Sequence, residues 1–367
     1  MKNIKNIIIT GGGTGGHLIP SFAIANALKK KNNDLDIRFI GSEYGIESKL
    51  YDSRNEKSYL IKIKGIVRSL KPKDIFQNIF IFPVLFFSSV IKVFKIYRNF
   101  KPDIVVGTGG YSSAIPLFVA RIKKIKIIIQ EQNAIPGLVN KMFLKVAHKV
   151  CFGFRPKQKS GNFIYTGNPT LLSENCLSMK KNKNKELSDS KDKFTIFVIG
   201  GSQGSVPINN HFIKNYDKYI DMGVQIIWQC GEKNLSSIKK VINNGSIFLH
   251  GFIKPDEMAN YYDRANLVIS RAGALTLSEL ANFNVPSILI PFPYSANNHQ
   301  LHNAKYFYSN KSAEIVLQDE LNKGSLEDKF EKIINNRKII DSMKKEIIKI
   351  SKPDAADIIA TQILGAC

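Results

Sequence analysis

The sequence predicts an α/β protein built from two doubly wound, parallel-sheet domains. Three observations predict it. Short apolar runs alternate with helix-length segments along the chain, the signature of βαβ units. The alternation stops in a polar stretch and then restarts. Each half also opens with an apolar strand running straight into a glycine-rich turn, IIITGGGTGGH in the first and FVIGGSQGS in the second. A chain of 367 residues is longer than one hydrophobic centre usually supports, which agrees with two domains.

In the first half the strand-like runs are Ile7–Thr10, Ile37–Ile40, Ile104–Gly107 and Ile125–Ile129, with a helical pattern over Leu18–Lys30. In the second they are Phe194–Ile199, Gln225–Gln229, Ile247–His250, Leu267–Ser270 and Ser287–Ile290. Between the halves, Ser173–Lys193 is crowded with Lys, Asn and Ser and lacks apolar periodicity, so it should be exposed and mobile. The expected organisation is a first domain over 1–168, a linker over 169–193, a second domain over 194–350, and a C-terminal helix over 351–367 that packs back on the first domain.

The formal charge of +23 invites a negatively charged partner: nucleic acid, anionic lipid or a phosphorylated ligand. Charge alone does not choose among them, and part of the lysine excess reads as compositional bias. The four cysteines, Cys151, Cys176, Cys230 and Cys367, are far apart with no CxxC pair, as expected of reduced cytosolic thiols. Only Ile7–Ile9 are continuously apolar before the first glycines, too few for a signal-peptide core. The run Ile79–Ile91 is shorter than a bilayer span and broken by Pro83. With its surroundings, Ile75–Phe94 flanked by Lys71, Lys73, Lys92 and Lys95, it should lie on a membrane without crossing it.

Four turns carry the candidate chemistry. Gly11–His17 joins a strand to a helix, so its amides and the helix N-terminus suit a phosphate. Its spacing Gly11, Gly13, Gly16 also fits a dinucleotide fingerprint, with Glu43 as the acid that would close the second strand, so an NAD-linked oxidoreductase is a competing reading. Gly107–Tyr111 and Gly200–Ser205 are two further glycine turns, and Arg271–Glu279 starts a helix with Thr276 at its N-terminus and Glu279 placed for ribose hydroxyls. Several such turns suggest a cleft that holds phosphates. His17, beside a helix N-terminus, is kept neutral and becomes a candidate base, although it can also hold a diphosphate. Asp34-Leu35-Asp36 has the spacing of metal-dependent transferases but falls at the wrong end of the sheet and reads as a solvated turn.

The series GGTGGH, GTGGY, EQNAIPG, TGNP, GGSQGS, RAGALTLSE and PFPYSANNHQLHNA, in that order over nearly the whole chain, resembles the MurG family of UDP-N-acetylglucosamine transferases. The resemblance implies a GT-B architecture, two Rossmann-like domains with a cleft between them. It implies an inverting transfer of N-acetylglucosamine from UDP-N-acetylglucosamine to the C4 hydroxyl of undecaprenyl-diphosphate-linked N-acetylmuramyl pentapeptide, in peptidoglycan synthesis. Donor-binding positions would be Thr14, Gly15, Gly16, Asn133, Ser202, Phe252, Ile253, Ala274, Leu275, Thr276, Glu279 and Gln300. Acceptor-binding positions would be His17, Gly109, Gly110, Tyr111 and Asn303, with His17 and Glu131 as catalytic candidates. No metal and no cofactor are implied, and the partners would be the two substrates and an anionic membrane surface on the cytoplasmic side, with no nucleic acid. One departure is visible: the family usually reads GNPVR where this chain has Gly167-Asn168-Pro169-Thr170-Leu171, so a phosphate-contacting arginine is missing. A non-catalytic basic lipid-binding protein is the other alternative; it explains the charge but leaves the turns unused.

Overall fold

A computed structural model of the protein describes residues 4–65, 79, 81–172 and 193–366. Lys71, Lys73, Cys176, Cys367, the segment 75–78 and nearly all of the expected linker lie outside the described residues. The chain divides into two compact units, Met1–Thr170 with Asp354–Cys367, and Leu171–Pro353.

In the first unit the strands are β1 (Asn6–Gly11), β2 (Asp36–Ser42), β3 (Ser58–Ile61), β4 (Ile104–Gly109), β5 (Lys126–Glu131), β6 (Lys149–Phe152) and β7 (Phe163–Tyr165). They form one sheet in the order β3-β2-β1-β4-β5-β6-β7, and every pairing is parallel. The central strand pairs Ile7 with both Ile37 and Ile104. Ile7, Ile8 and Ile9 have no solvent exposure, because helices cover both faces of a parallel sheet and its middle strands must be apolar throughout. The helices of this half are α1 (Gly15–Lys31), α2 (Glu47–Ser53), α3 (Phe82–Phe100), α4 (Ala114–Ile122) and α5 (Leu138–Phe143). Val93 and Tyr97 of α3, Ile115 and Leu117 of α4 and Phe143 of α5 share one core cluster with β4–β6.

The second unit carries β8 (Thr195–Ile199), β9 (Gln225–Gln229), β10 (Ile247–His250), β11 (Leu267–Ser270), β12 (Ser287–Leu289) and β13 (Ala313–Ile315), ordered β10-β9-β8-β11-β12-β13 and again wholly parallel. Its helices are α6 (Val206–Asp221), α7 (Glu232–Val241), α8 (Pro255–Arg264), α9 (Ala274–Asn282), α10 (His299–Ser309), α11 (Ser325–Asn335) and α12 (Arg337–Ile350). Aromatic rings fill one side of this core: Phe212 lies 5.2 Å from Tyr219 and 5.7 Å from Trp228, ring centre to ring centre. The last helix, α13 (Ala355–Leu364), returns to the first unit and packs on α1, burying Ile359 and Ile363 completely.

The strands β3, β6, β7 and β13 were not expected from the sequence. Each has only three or four residues, short enough for an apolar run to be lost among its neighbours, although the equally short β10, β11 and β12 were legible. Both sheets reverse their strand order once, at β1/β4 and at β8/β11. At such a point the two strands' outgoing connections leave to opposite faces, opening a crevice at their carboxyl ends where ligands of doubly wound folds bind. All four turns singled out above lie at these carboxyl ends.

Candidate active site

In the first unit, two turns are built against each other. Gly12 N–H donates to the Gly109 carbonyl at 3.2 Å, joining the end of β1 to the end of β4. Gly13, Gly109 and Gly110 all adopt positive φ (86°, 95° and 79°), a conformation that side chains resist. Glu47, fully buried, shapes the first turn: its Oε1 accepts from Gly13 N–H at 3.0 Å and Ser42 N–H at 3.4 Å. A Cβ on Gly12 or Gly45 would overlap its carboxylate, which is why glycine stands on both sides. Its Oε2 is buried without a hydrogen bond. With the turn held, α1 begins at Gly15; His17 and Leu18 N–H donate to the Thr14 carbonyl at 3.1 and 3.3 Å, while the amides of Gly15 and Gly16 precede the first intrahelical bond.

His17, half-buried in that first turn, has Nδ1 3.0 Å from the Thr108 carbonyl and 3.1 Å from Gln132 Oε1. A carbonyl only accepts, so Nδ1 carries the hydrogen and the ring's lone pair is on Nε2. Gln132 is itself oriented, its Nε2 donating to the Thr108 carbonyl at 2.6 Å. Tyr111, partly buried at the second turn, has its hydroxyl pKa raised, mainly by desolvation.

Glu131 is 1% exposed and differs from what a base requires. Its oxygens accept from Asn133 N–H at 2.8 Å, Gly137 N–H at 3.0 Å and Asn140 Nδ2 at 2.8 Å. Burial raises its pKa and these donors oppose the rise. The carboxylate therefore braces the loop 132–137, on which the part-exposed Asn133 sits, and these contacts are those of a positioning residue.

The first-unit acids of the competing readings are otherwise engaged. The Glu43 carboxylate lies 3.7 Å from Lys92 Nζ. Asp36 pairs with Arg38 at 2.8 Å, which lowers its pKa, and it opens β2 at the opposite end of the sheet from the turns.

In the second unit, a cavity of about 480 Å³ lies at the β8/β11 reversal, lined among others by Gly201, Ser205, Arg271, Thr276 and Gln300. Ser202 is exposed on the turn, while Ala274 opens α9 with Leu275 and Thr276 part-exposed beside it. Gln229 ties two expected subsites together: its Nε2 donates to the Gly201 carbonyl at 3.1 Å and its Oε1 accepts from Ile253 N–H at 2.9 Å. The Ile253 amide is thus already used, and Ile253 is buried, whereas Phe252 is 50% exposed. Glu279 Oε2 accepts from the Tyr262 hydroxyl at 3.0 Å. Desolvation pushes the Glu279 carboxyl up to about 7, with the Tyr262 bond working against it. Gln300 Oε1 accepts from Phe292 N–H at 3.0 Å, fixing its side chain at the cavity.

Asn303 departs from expectation: it has no exposure, and its Nδ2 donates to the Ala272 carbonyl at 3.2 Å. It braces the turn before α9 instead of facing an acceptor. Sequence reading missed Glu47, Gln132 and Gln229 as contributors. The available signal was a polar residue ending or following an apolar strand, or flanked by glycines across a turn.

The glycosyltransferase family 28 N-terminal domain matches residues 7–152, and the family 28 C-terminal domain matches residues 195–359. The chain is 36% identical to the UDP-N-acetylglucosamine--N-acetylmuramyl-(pentapeptide) pyrophosphoryl-undecaprenol N-acetylglucosamine transferase of Flavobacterium psychrophilum, over 97% of this chain and 96% of that one. It is 34% identical to the enzyme of the same name from Acetivibrio thermocellus, over 96% and 95%. Among solved structures it resembles MurG of Acinetobacter baumannii, with a TM-score of 0.77 at 24% identity over 98% of this chain and 99% of that one. It also resembles the calicheamicin glycosyltransferase CalG4, with a TM-score of 0.68 at 13% identity over 100% and 99%. These likenesses show the GT-B class of fold.

The tight fit between Glu47 and its glycines makes a direct expectation. Gly12→Ala should lower stability by about 1–3 kcal/mol in urea titrations, the usual cost of overpacking. Adding Glu47→Ala should recover part of that loss, a coupling readable from the double-mutant cycle. Strictly additive losses would show that the carboxylate does not set the turn.

Proposed function

The chain belongs to the MurG family within glycosyltransferase family 28, and from that premise we propose that it transfers N-acetylglucosamine from its UDP conjugate to lipid-linked N-acetylmuramyl pentapeptide. What carries the reading in physical terms is one glycine-turn anion site at the reversal point of each sheet, suited to the diphosphates that both substrates possess.

In the second unit, Ser202 and the α9 amides from Ala274 to Thr276 receive the donor diphosphate, and Glu279 accepts from the ribose hydroxyls. Because the Ile253 amide is bound to Gln229, uracil recognition falls to the remaining backbone groups of the loop and to Phe252. Gln300 serves the sugar hydroxyls. Thr14, Gly15, Gly16, Gly109, Gly110 and Tyr111 belong to the turns that hold the acceptor diphosphate, with Thr14 to Gly16 also contributing to donor binding.

The reaction is a single displacement. The acceptor C4 oxygen bonds to the anomeric carbon, the bond from that carbon to the β-phosphate oxygen breaks, and UDP leaves with the electron pair. An α-linked donor so gives a β-linked product. The proton from the C4 hydroxyl goes to His17 Nε2, whose partner nitrogen is fixed as Nδ1–H by Thr108 and Gln132. Negative charge growing on UDP is met by prearranged amides at a helix N-terminus.

The lipid-linked acceptor requires access to a membrane, and the first unit has a surface that fits. Val84, Phe87 and Ile91 of α3 are 64–69% exposed at helical spacing, while Phe82, Leu85 and Phe86 are partly covered. Phe118 and Ile122 of α4 and Leu138 and Met142 of α5 are exposed as well, on helices that share one core cluster with α3. Lys92, Lys95 and Lys141 stand among them. No helix of the described residues is long and apolar enough to cross a membrane. Peripheral docking on anionic lipid suits such a face, each cation near the surface contributing about 1 kcal/mol.

The direct test is turnover of radiolabelled UDP-N-acetylglucosamine into a butanol-soluble lipid; no product with a lipid-linked acceptor would reject the reading. His17→Ala should lower kcat by roughly a hundredfold or more with little change in donor affinity; weaker acceptor binding at nearly normal kcat would make it a diphosphate holder instead. The Glu279 carboxyl, raised to about 7, is ionised above that pH, and the carboxylate is the stronger acceptor for hydroxyls. KM for UDP-N-acetylglucosamine should therefore fall as pH rises through about 7, and Glu279→Gln should flatten that step; a profile identical in both proteins would remove the ribose assignment. Changing Val84, Phe87 and Ile91 to serine should abolish co-sedimentation with anionic liposomes while circular dichroism stays native. Undiminished binding would place the docking surface elsewhere.

A further inference from the structure

We propose that Arg271 is the electrostatic counterpart of the donor's diphosphate: a buried guanidinium without a protein counter-charge, whose missing anion the bound nucleotide supplies. The inference rests on the donor reading above and deepens it.

Arg271 follows β11 directly and is 8% exposed, yet it lines the cavity at the β8/β11 reversal. Its Nη1 donates to the carbonyls of Ile290 at 3.1 Å and Pro291 at 3.3 Å. Its Nη2 donates to Ser205 Oγ at 2.7 Å and Gln318 Oε1 at 2.6 Å. All four partners are neutral. The ion pairs among the described residues do not include Arg271. Burial alone lowers its pKa, to about 10, so it remains a cation at neutral pH.

An unpaired buried charge is expensive to maintain, and dipoles alone offset it only in part. The arrangement is intelligible if the cavity receives an anion. Beside Arg271 the cavity wall includes glycines of the turn 200–204, Ser205 and, at the start of α9, Gly273 and Thr276, groups suited to phosphate oxygens, together with the apolar side chains of Ile199, Val206, Pro207 and Phe292. Because the four Nη bonds are committed to protein groups, Arg271 does not grip the ligand with those donors. It acts by its charge and through Ser205, whose oxygen accepts from Nη2 and whose own O–H is thereby turned to donate elsewhere. It is a positioning residue for the leaving group.

The test is calorimetric titration of the full chain with uridine, UMP and UDP. The wild type should prefer UDP to uridine, and Arg271→Gln should reduce that preference by about tenfold or more with the uridine Kd nearly unchanged. Arg271→Lys, which keeps the charge but not the fork, should restore most of it. If Arg271→Gln does not fold, Arg271→Met is titrated in its place, and competition of inorganic pyrophosphate with UDP on the wild type against Arg271→Lys provides a second measurement, expected to differ little. An undiminished UDP preference in the neutral variant overturns the proposal. So does an equal loss for uridine and UDP, which marks a purely structural brace. A wild type that binds none of the three nucleosides overturns the donor reading itself.

Discussion

Parallel pairing of β1 with β4, and of β8 with β11, is the constraint on which the rest of the molecule depends. A parallel sheet needs crossover helices on both faces, and where the crossovers change direction two strand ends are left without a helix between them. Some backbone amides there are satisfied across the reversal, Gly12 N–H by the Gly109 carbonyl and Arg271 N–H by the Ile199 carbonyl, while the first amides of the helices that follow precede any intrahelical bond. Glycine turns occupy these strand ends in both units, so the two proposed anion sites share one structural route with no shared sequence beyond the glycines.

The two sites differ in how their turns are held. In the first unit the brace is acidic: buried Glu47 holds Gly13, and buried Glu131 holds the loop of Asn133. Each carboxylate accepts backbone N–H groups, so its charge is spent on shaping loops and not on a ligand. In the second unit the brace is basic or neutral, with Arg271 behind the phosphate turn and Gln229 linking it to the loop of Ile253. A cation behind the proposed donor site suits a leaving group that gains negative charge. His17 Nδ1 is held by the Thr108 carbonyl and the Gln132 side chain, an arrangement that suits the proton-accepting role proposed for Nε2.

The net charge of +23 acquires local meaning from the fold. Lysines on α3 and α5 stand beside exposed apolar side chains on the helices packed over β4–β6, whereas many others, such as Lys349 beside Glu346, are ordinary solvated pairs. Only the combination with an uncovered apolar stripe separates a docking cation from a solubilising one.

The chain's own pattern was enough for the two-unit α/β fold, the long strands, and the glycine turns at the strand ends, because apolar period and glycine position are local properties. It also pointed to Glu279 and His17, which stand at fixed distances in sequence from those turns. It did not reveal β3, β6, β7 and β13, short strands defined by pairing with a neighbour already in place. Nor did it separate Phe82, Leu85 and Phe86 from the outward stripe Val84, Phe87 and Ile91, because an all-apolar run hides which side faces the core. The roles of Glu131 and Asn303 as braces, of Glu47 as the partner of Gly12 and Gly45, and of Arg271 as an unpaired cation were decided by tertiary structure. Each depends on burial and on which groups fill the hydrogen bonds, within nine residues for Glu131 and tens of residues away for Glu47, Asn303 and Arg271, and hydrogen-bond satisfaction in a packed interior cannot be read from local pattern alone.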